Sequence, residues 1–210
     1  MKKKRVGVRL FKAFVLCILL LGIVGVAAGG VFVKHVIDNT PEVTAKDILP
    51  QGYTTSIVDQ NGTVLEQLKD SDSNRVYKKY DEISKYMGDA FVAIEDERFY
   101  KHNGIDLQGI IRAGVVGVTH GFHFTEGAST LTQQLIKNNV FPNFVNETNS
   151  ERFERKIQEQ YLALKIEKQM SKKEILEAYM NTINLGQGCL GVQTAAKRYF
   201  NKDAADLTLS

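Results

Sequence analysis

The sequence predicts a mainly α-helical body carried behind a single N-terminal transmembrane helix, with a short β-hairpin between the two. Three observations carry that expectation. Residues 13–33 contain no charged side chain. An Asn61-Gly62 pair separates two β-prone runs. From Asp81 onward, apolar residues recur at spacings of three and four, and Ser/Thr-x-x-Glu/Gln boxes punctuate the pattern.

A helix rises about 1.5 Å per residue, so residues 13–33 match the roughly 30 Å hydrocarbon core of a bilayer. The competing reading is a cleaved signal peptide. Its apolar region is usually about 7–15 residues long, and Val26-Ala27-Ala28 makes a poor cleavage site, so a retained anchor is expected. The net charge of +3 hides an asymmetry. Lys2, Lys3, Lys4, Arg5, Arg9 and Lys12 precede the anchor, and the remaining 21 Lys and Arg face 24 Asp and Glu. The positive-inside rule makes residues 1–12 a cytoplasmic basic tail and places everything after residue 33 outside the cytoplasm. A body with this charge balance is not expected to bind nucleic acid. The two cysteines cannot build a disulfide framework, and no C-x-x-C pair suggests zinc. Cys17 falls within the anchor, and Cys189 is expected to be a small buried side chain.

Residues 34–80 read as a linker holding Pro41 and Pro50, followed by a hairpin around Asn61-Gly62. The main body is expected over residues 81–210. Ile83, Met87, Phe91 and Ile94 predict one helix face, broken at Asn103-Gly104. Asp106 is placed as the N-cap of a helix over residues 107–118. Residues 120–127 read as a loop. Thr130-x-x-Gln133 opens a helix to about Asn138 with capping-box spacing, and residues 143–149 read as loop. A long helix follows over residues 150–170, with Phe153, Ile157, Tyr161 and Leu164 as its core stripe. Ser171-x-x-Glu174 opens a helix to about Ile183, and a last helix covers residues 191–199.

Three constellations could carry chemistry. Glu95-Asp96-Glu97-Arg98-Phe99-Tyr100-Lys101-His102 sits where an apolar helix ends, and a carboxylate near aromatic rings suits proton transfer. The bland alternative is a charged helix end facing water. In the second, Gly127, Ser129 and Thr130 precede a helix bearing Gln134 and Lys137 on one face; N–H groups and hydroxyls there suit an anion, while the alternative is an ordinary capped helix. The third, Arg155-Lys156-x-x-Glu159, reads in isolation as a solvated salt-bridge face. A metal pair at His120-x-x-His123 lacks an evident third ligand.

In this order and behind an anchor, these motifs resemble the peptidoglycan glycosyltransferases, glycosyltransferase family 51. The resemblance rests on Glu95-Asp96-x-x-Phe99-x-x-His102-x-Gly104, then Gly127-x-Ser129-Thr130-x-Thr132-Gln133-Gln134-x-x-Lys137-Asn138, then Arg155-Lys156-x-x-Glu159. Two later blocks, residues 173–181 and 195–200, agree with it. The match runs from about residue 57 to the end. It implies a lysozyme-like lobe with a small membrane-associated jaw, which the apolar, glycine-bearing residues 110–124 would form.

The resemblance also implies an activity. The family polymerises lipid II into glycan strands by inverting transfer at the outer face of the cytoplasmic membrane, with a polyprenyl-pyrophosphate-linked glycan as donor. Glu95 corresponds to the base and Glu159 to the family's second catalytic glutamate, which stabilises developing charge or holds a divalent ion, magnesium or manganese, on the pyrophosphate. Ser129, Thr130, Gln134, Lys137, Asn138, Arg155 and Lys156 match positions that serve the pyrophosphate-bearing substrate. Arg112 resembles a substrate-contacting arginine. Asp96, Phe99 and His102 match positions that shape the acceptor side, whereas Tyr179 and Asn181 are expected to hold the fold. No organic cofactor is implied; the partners implied are the lipid substrates, the membrane and cell-wall synthesis or division proteins. Ala128 departs from a glycine common in the family, and residues 143–150 form a longer segment than in many members. Family members continue with further helices, and Ser-x-x-Lys, the transpeptidase signature, does not occur. The chain is therefore expected to be a fragment of a longer protein, less stable than the whole and inactive although its catalytic motifs are all present. The alternatives are a lysozyme-like glycan-cleaving enzyme, which needs no pyrophosphate receptor, and a non-catalytic membrane-anchored scaffold.

Overall fold

The structure is a computed structural model describing residues 2–68, 74–120, 127–141 and 144–209. It divides into two compact units, Met1–Pro41 and Glu42–Ser210.

The first unit is one helix, α1 (Lys2–Asp38). Its segment Phe11–Asp38 is 28 residues long, reaches a mean hydropathy of 2.7, and is long and apolar enough to cross a membrane. The helix extends beyond the expected anchor at both ends. Past residue 33 the Lys34–Asp38 ion pair, at 2.6 Å, spans one turn. The helix stops where side chains take over its last carbonyls. Asn39 Nδ2 donates to the His35 oxygen at 2.8 Å and Thr40 Oγ1 to the Val36 oxygen at 2.9 Å, and Pro41 follows. The start of the expected linker is thus helical.

In the second unit, a turn at Thr44–Asp47 leads Ile48 into the core. Strands β1 (Thr55–Val58) and β2 (Val64–Leu68) then pair antiparallel, Thr55 opposite Leu68. The expected turn forms at Gly62, with φ of 83°, and Asp59 Oδ1 accepts from the N–H groups of Asn61 and Thr63, both at 2.8 Å.

Six α-helices follow among the described residues: α2 (Lys85–Glu95), α3 (Leu107–Thr119), α4 (Leu131–Val140), α5 (Asn149–Ile166), α6 (Lys172–Thr182) and α7 (Val192–Phe200). Helix α4 lies against both α5 and α6. Leu131, Leu135 and Ile136 of α4 meet Leu162, Ala163 and Ile166 of α5 and Ile175, Leu176 and Tyr179 of α6 in one core, joined by Phe99 and Ile48. Cys189 is buried, as its sequence context suggested.

Several boundaries differ from expectation for identifiable reasons. The first body helix begins after Ser84, because Tyr80–Glu82 forms a 3-10 turn, and ends at Glu95 rather than at Asn103-Gly104. Asp96 leaves the helical region at φ −159°, and its carboxylate turns inward. Its apolar face is correspondingly incomplete, and Ile94 is exposed. Asp106 occupies the N-cap of α3 as expected, yet its carboxylate is gripped by Arg98, at 3.0 Å from Nε and 2.6 Å from Nη2. That guanidinium holds the Asp106 carboxyl below the usual range. Thr130 caps α4 by accepting from the Gln133 N–H at 3.2 Å. Gln133 does not complete the box, because its Nε2 donates to the Gly104 oxygen at 2.9 Å. The long helix starts one residue before the expected position. A capping box overlooked in the sequence, Thr148 with Glu151, sets its start. Ser171 and Glu174 form the expected box. Helix α7 follows Gly191, whose φ is 78°.

The core stripe expected on α5 is the clearest correction. Phe153 is 61% and Leu164 41% exposed, whereas Ile157 and Tyr161 are half-buried and Tyr161 packs against the core. The buried face carries Arg155, Glu159, Leu162, Ala163 and Ile166 instead. The helix is rotated so that its charged motif points inward.

Gly104 is held tightly at this junction. Its φ is 93°, and a Cβ there would lie 2.8 Å from the backbone of Ala163. Gly104→Ala should therefore lower stability by about 3 kcal/mol, combining left-handed strain with a backbone clash. A shift of the denaturant midpoint in detergent measures it.

Candidate active site

The site is assembled from the ends of α2 and α4, the buried face of α5 and the loop before it. Glu95, the last residue of α2, is exposed, and its Oε2 accepts from Gln134 Nε2 at 2.9 Å. Glu95, Arg112, Ser129 and Thr130 line one cleft of about 180 Å³. Arg112 reaches it from α3, and Ser129 and Thr130 from the segment that enters α4.

The residues following Glu95 turn inward and fix this geometry from behind. Asp96 and Phe99 are buried. Asp96 Oδ2 accepts from the Leu131 N–H at 3.0 Å, and Oδ1 lies 2.8 Å from His102 Nε2. The Gly104 N–H donates to His102 Nδ1 at 3.1 Å. Nδ1 is thereby the acceptor, so Nε2 carries the proton that it donates to Asp96. Gly104 in turn offers its carbonyl to Thr130 Oγ1 and Gln133 Nε2, each at 2.9 Å. The hydroxyl of Thr130 is therefore engaged with the protein on both sides.

The cationic half gathers around Glu159, which is fully buried. Its Oε1 accepts from Arg155 Nη1, and its Oε2 from Lys156 Nζ at 2.6 Å. Lys156 also donates to Ser129 Oγ at 3.0 Å, which ties α5 to the cleft of Glu95. Arg155 Nε donates to both oxygens of Glu147, at 2.8 and 2.9 Å. Burial works against the Arg155 charge, but Glu147 and Glu159 more than offset it and hold its pKa above the ordinary arginine value. Sequence reasoning missed Glu147 because it placed that residue in a featureless loop; the Thr148–Glu151 box, which anchors the loop, was the available signal.

Lys137, two turns into α4, lies 4.8 Å from the centroid of the Phe144 ring, and the Arg155 guanidinium lies 5.7 Å from the same centroid. Burial and the neighbouring charge of Lys156 hold the Lys137 pKa below the ordinary lysine range. Gln134, Lys137 and Asn138 line a second cavity of 450 Å³, with Phe144 and Asn184. The residues read from sequence therefore fall into four groups. Glu95, Asp96, Arg112, Ser129 and Thr130 border the first cleft, Gln134, Lys137 and Asn138 the second, Arg155, Lys156 and Glu159 form the charged cluster on α5, and Phe99 and His102 line neither of the two clefts.

Helix α3 has two faces. Gly109, Ala113 and Gly117 are buried, whereas Leu107, Ile111, Val115 and Val118 form an exposed apolar stripe. The expected jaw, residues 110–124, is covered only as far as His120; residues 121–124, and with them His123, lie outside the described residues.

Known proteins resemble this chain closely. A transglycosylase family model matches residues 61–210. The chain is 42% identical over 204 residues to penicillin-binding protein 1A of Clostridium perfringens strain 13, covering 96% of the chain and 29% of that protein. It is 39% identical over 212 residues to penicillin-binding protein 1A of Clostridium botulinum strain Langeland, covering 99% of the chain and 25% of that protein. Penicillin-binding protein 1A of Rickettsia bellii is 38% identical over 158 residues, 74% of the chain and 19% of that protein. The chain spans less than a third of the length of these relatives.

The Glu159 cluster makes a stability prediction. Glu159→Gln would leave Arg155 and Lys156 short of a buried counter-charge and should cost about 3–5 kcal/mol. Urea unfolding of the variant beside the parent chain measures this.

Proposed function

The chain belongs to the transglycosylase family, and on that premise we propose that it is a peptidoglycan glycosyltransferase that polymerises lipid II. The carrying observation is that Ser129 joins the cleft of an exposed carboxylate to a cation of the neighbouring α5 cluster. Exposed Glu95 borders the same cleft as Ser129, whose hydroxyl is 3.0 Å from Lys156 Nζ. A base on one side and cations on the other suit an inverting displacement with an anionic leaving group.

In this reading the acceptor is the 4-hydroxyl of the lipid II GlcNAc. Glu95 takes its proton as the oxygen bonds to the anomeric carbon of the donor glycan. The bond from that carbon to the pyrophosphate breaks, and the leaving oxygen keeps the electron pair. Attack from the face opposite the leaving group inverts the centre and yields a β-1,4 link. Lys156, Lys137 and Arg155 offset the charge on the departing pyrophosphate, with Ser129 as a hydrogen-bond donor. Glu159 keeps Arg155 and Lys156 in place. Each of its oxygens accepts from one of these cations. A divalent ion here would have the substrate's pyrophosphate as its main ligand.

A glycan hydrolase of the same lysozyme-like shape would need an acid but no pyrophosphate receptor, and the Lys137, Arg155 and Lys156 cluster favours transfer. Helix α1 supports membrane anchoring, and the charge asymmetry around it supports a cytoplasmic N-terminus with the body outside. The exposed stripe on α3 suits contact with the bilayer, from which a lipid-linked substrate would enter. The chain contains no tryptophan, so Val115→Trp is a unique reporter. Brominated lipids in reconstituted vesicles should quench its fluorescence, and unquenched emission would remove α3 from the membrane.

Labelled lipid II tests the reaction directly. Polymer on gels is expected from the parent chain, and Glu95→Gln should lower the rate by about 100-fold or more, the usual contribution of a general base. Undiminished polymer from Glu95→Gln would overturn the assignment. The depressed Lys137 pKa gives a second outcome. Its charge is lost as pH rises through a value below the ordinary lysine range, so kcat/KM should fall on that alkaline limb. Lys137→Arg, which stays protonated, should carry the limb to higher pH.

A further inference from the structure

Three helices contribute one residue each to a hydrogen-bond chain that ends on Glu95. Tyr179 of α6 donates from its hydroxyl to Gln134 Oε1 at 3.1 Å. Gln134 of α4 donates from Nε2 to Glu95 Oε2 of α2 at 2.9 Å. We propose that Tyr179 is a positioning residue for Glu95, acting through Gln134. This rests on the reading of Glu95 as the base and deepens it.

The chemistry of each group sets the direction of the chain. An ionised carboxylate only accepts, so the Gln134 amide must turn its NH2 toward Glu95. That orientation turns the amide oxygen toward Tyr179, which meets it as a donor. Once Glu95 has taken the acceptor's proton it becomes a donor itself. A half-turn of the amide then lets its oxygen accept from Glu95 while its NH2 donates to the Tyr179 oxygen. A hydroxyl serves both orientations, because it can donate or accept; an apolar group serves neither and would leave the half-buried Gln134 amide without this partner in each.

The surroundings make Tyr179 suited to that task. It is fully buried, and its ring stands edge-on to Phe91, with centroids 5.5 Å apart. Its hydroxyl is therefore fixed by packing rather than by solvent. Burial and the nearby charge of Glu95 push the phenol above its usual range, so it stays a hydroxyl under working conditions. Gln134 sits one turn before Lys137, so the same helix that sets the base also carries a cation of the leaving-group side.

Tyr179→Phe keeps the ring against Phe91 and removes only the hydroxyl. In the lipid II polymerisation assay it should lower kcat about tenfold, with KM within twofold and the cooperative melting transition retained. In a Gln134→Leu background the same change should alter kcat by less than twofold, because the relay is already broken. An equal loss in both backgrounds, or no loss in the parent, would overturn the proposal. A readout independent of turnover is the Gln134 side-chain amide signal in 15N NMR, identified by its disappearance in Gln134→Leu. It should shift on Tyr179→Phe and on Glu95→Gln, and a signal unmoved by Tyr179→Phe would also overturn the proposal. Full activity of Glu95→Gln would instead strike at the base assignment, whatever Tyr179→Phe does.

Discussion

A buried carboxylate organises the cationic half of this protein. An ion removed from water costs several kcal/mol unless it is matched by opposite charge and hydrogen bonds. Glu159 is matched on both oxygens, by Arg155 and by Lys156. Both cations sit on the same helix as the carboxylate, three and four residues before it, so pairing all three inside turns that face of α5 toward the core. Phe153 and Leu164 are left on the outside as the consequence. The remaining N–H groups of Arg155 then draw in Glu147, which fixes the loop before α5 and seats Phe144 beside Lys137.

The acid side rests on a parallel arrangement around Asp96. Its two oxygens bind His102 and the first N–H of α4, and His102 binds Gly104. The Gly104 carbonyl returns to Thr130 and Gln133. The chain between α2 and α4 is thus stitched to the start of α4, and Glu95 is delivered to Gln134 by the turn that removes Asp96 from the helix. Helix α4 is the common frame. It carries Gln134 toward Glu95 and Lys137 toward the α5 cluster, and its apolar side is locked between α5 and α6. The motifs that resemble family 51 are therefore divided in labour: some side chains only face the clefts, while Asp96 and His102 also tie the chain after α2 to the start of α4.

Much of this was legible locally. The uncharged residues 13–33, the Asn61-Gly62 turn and the Ser171–Glu174 box each depend on neighbours in the chain, and each formed where local chemistry placed it. The helix end at Asp96 and the partner of Gln133 were not legible, since both side chains bond to groups distant in sequence: Leu131 for the one, Gly104 for the other. The Thr148–Glu151 box was legible and overlooked, and with it the placement of Glu147.

By itself the sequence determined the kinds of element, their order and the set of chemically capable residues, because helix periodicity, capping and motif spacing are short-range properties. The tertiary structure decided which face of each helix became the inside. By amphipathic patterning alone, a helix carrying Arg155, Lys156 and Glu159 would turn those charges to water and Phe153 and Leu164 to the core. Only the packed body supplies Ser129 and Glu147 to pair with the charges, and with those partners in place the polar face is the one that can be buried.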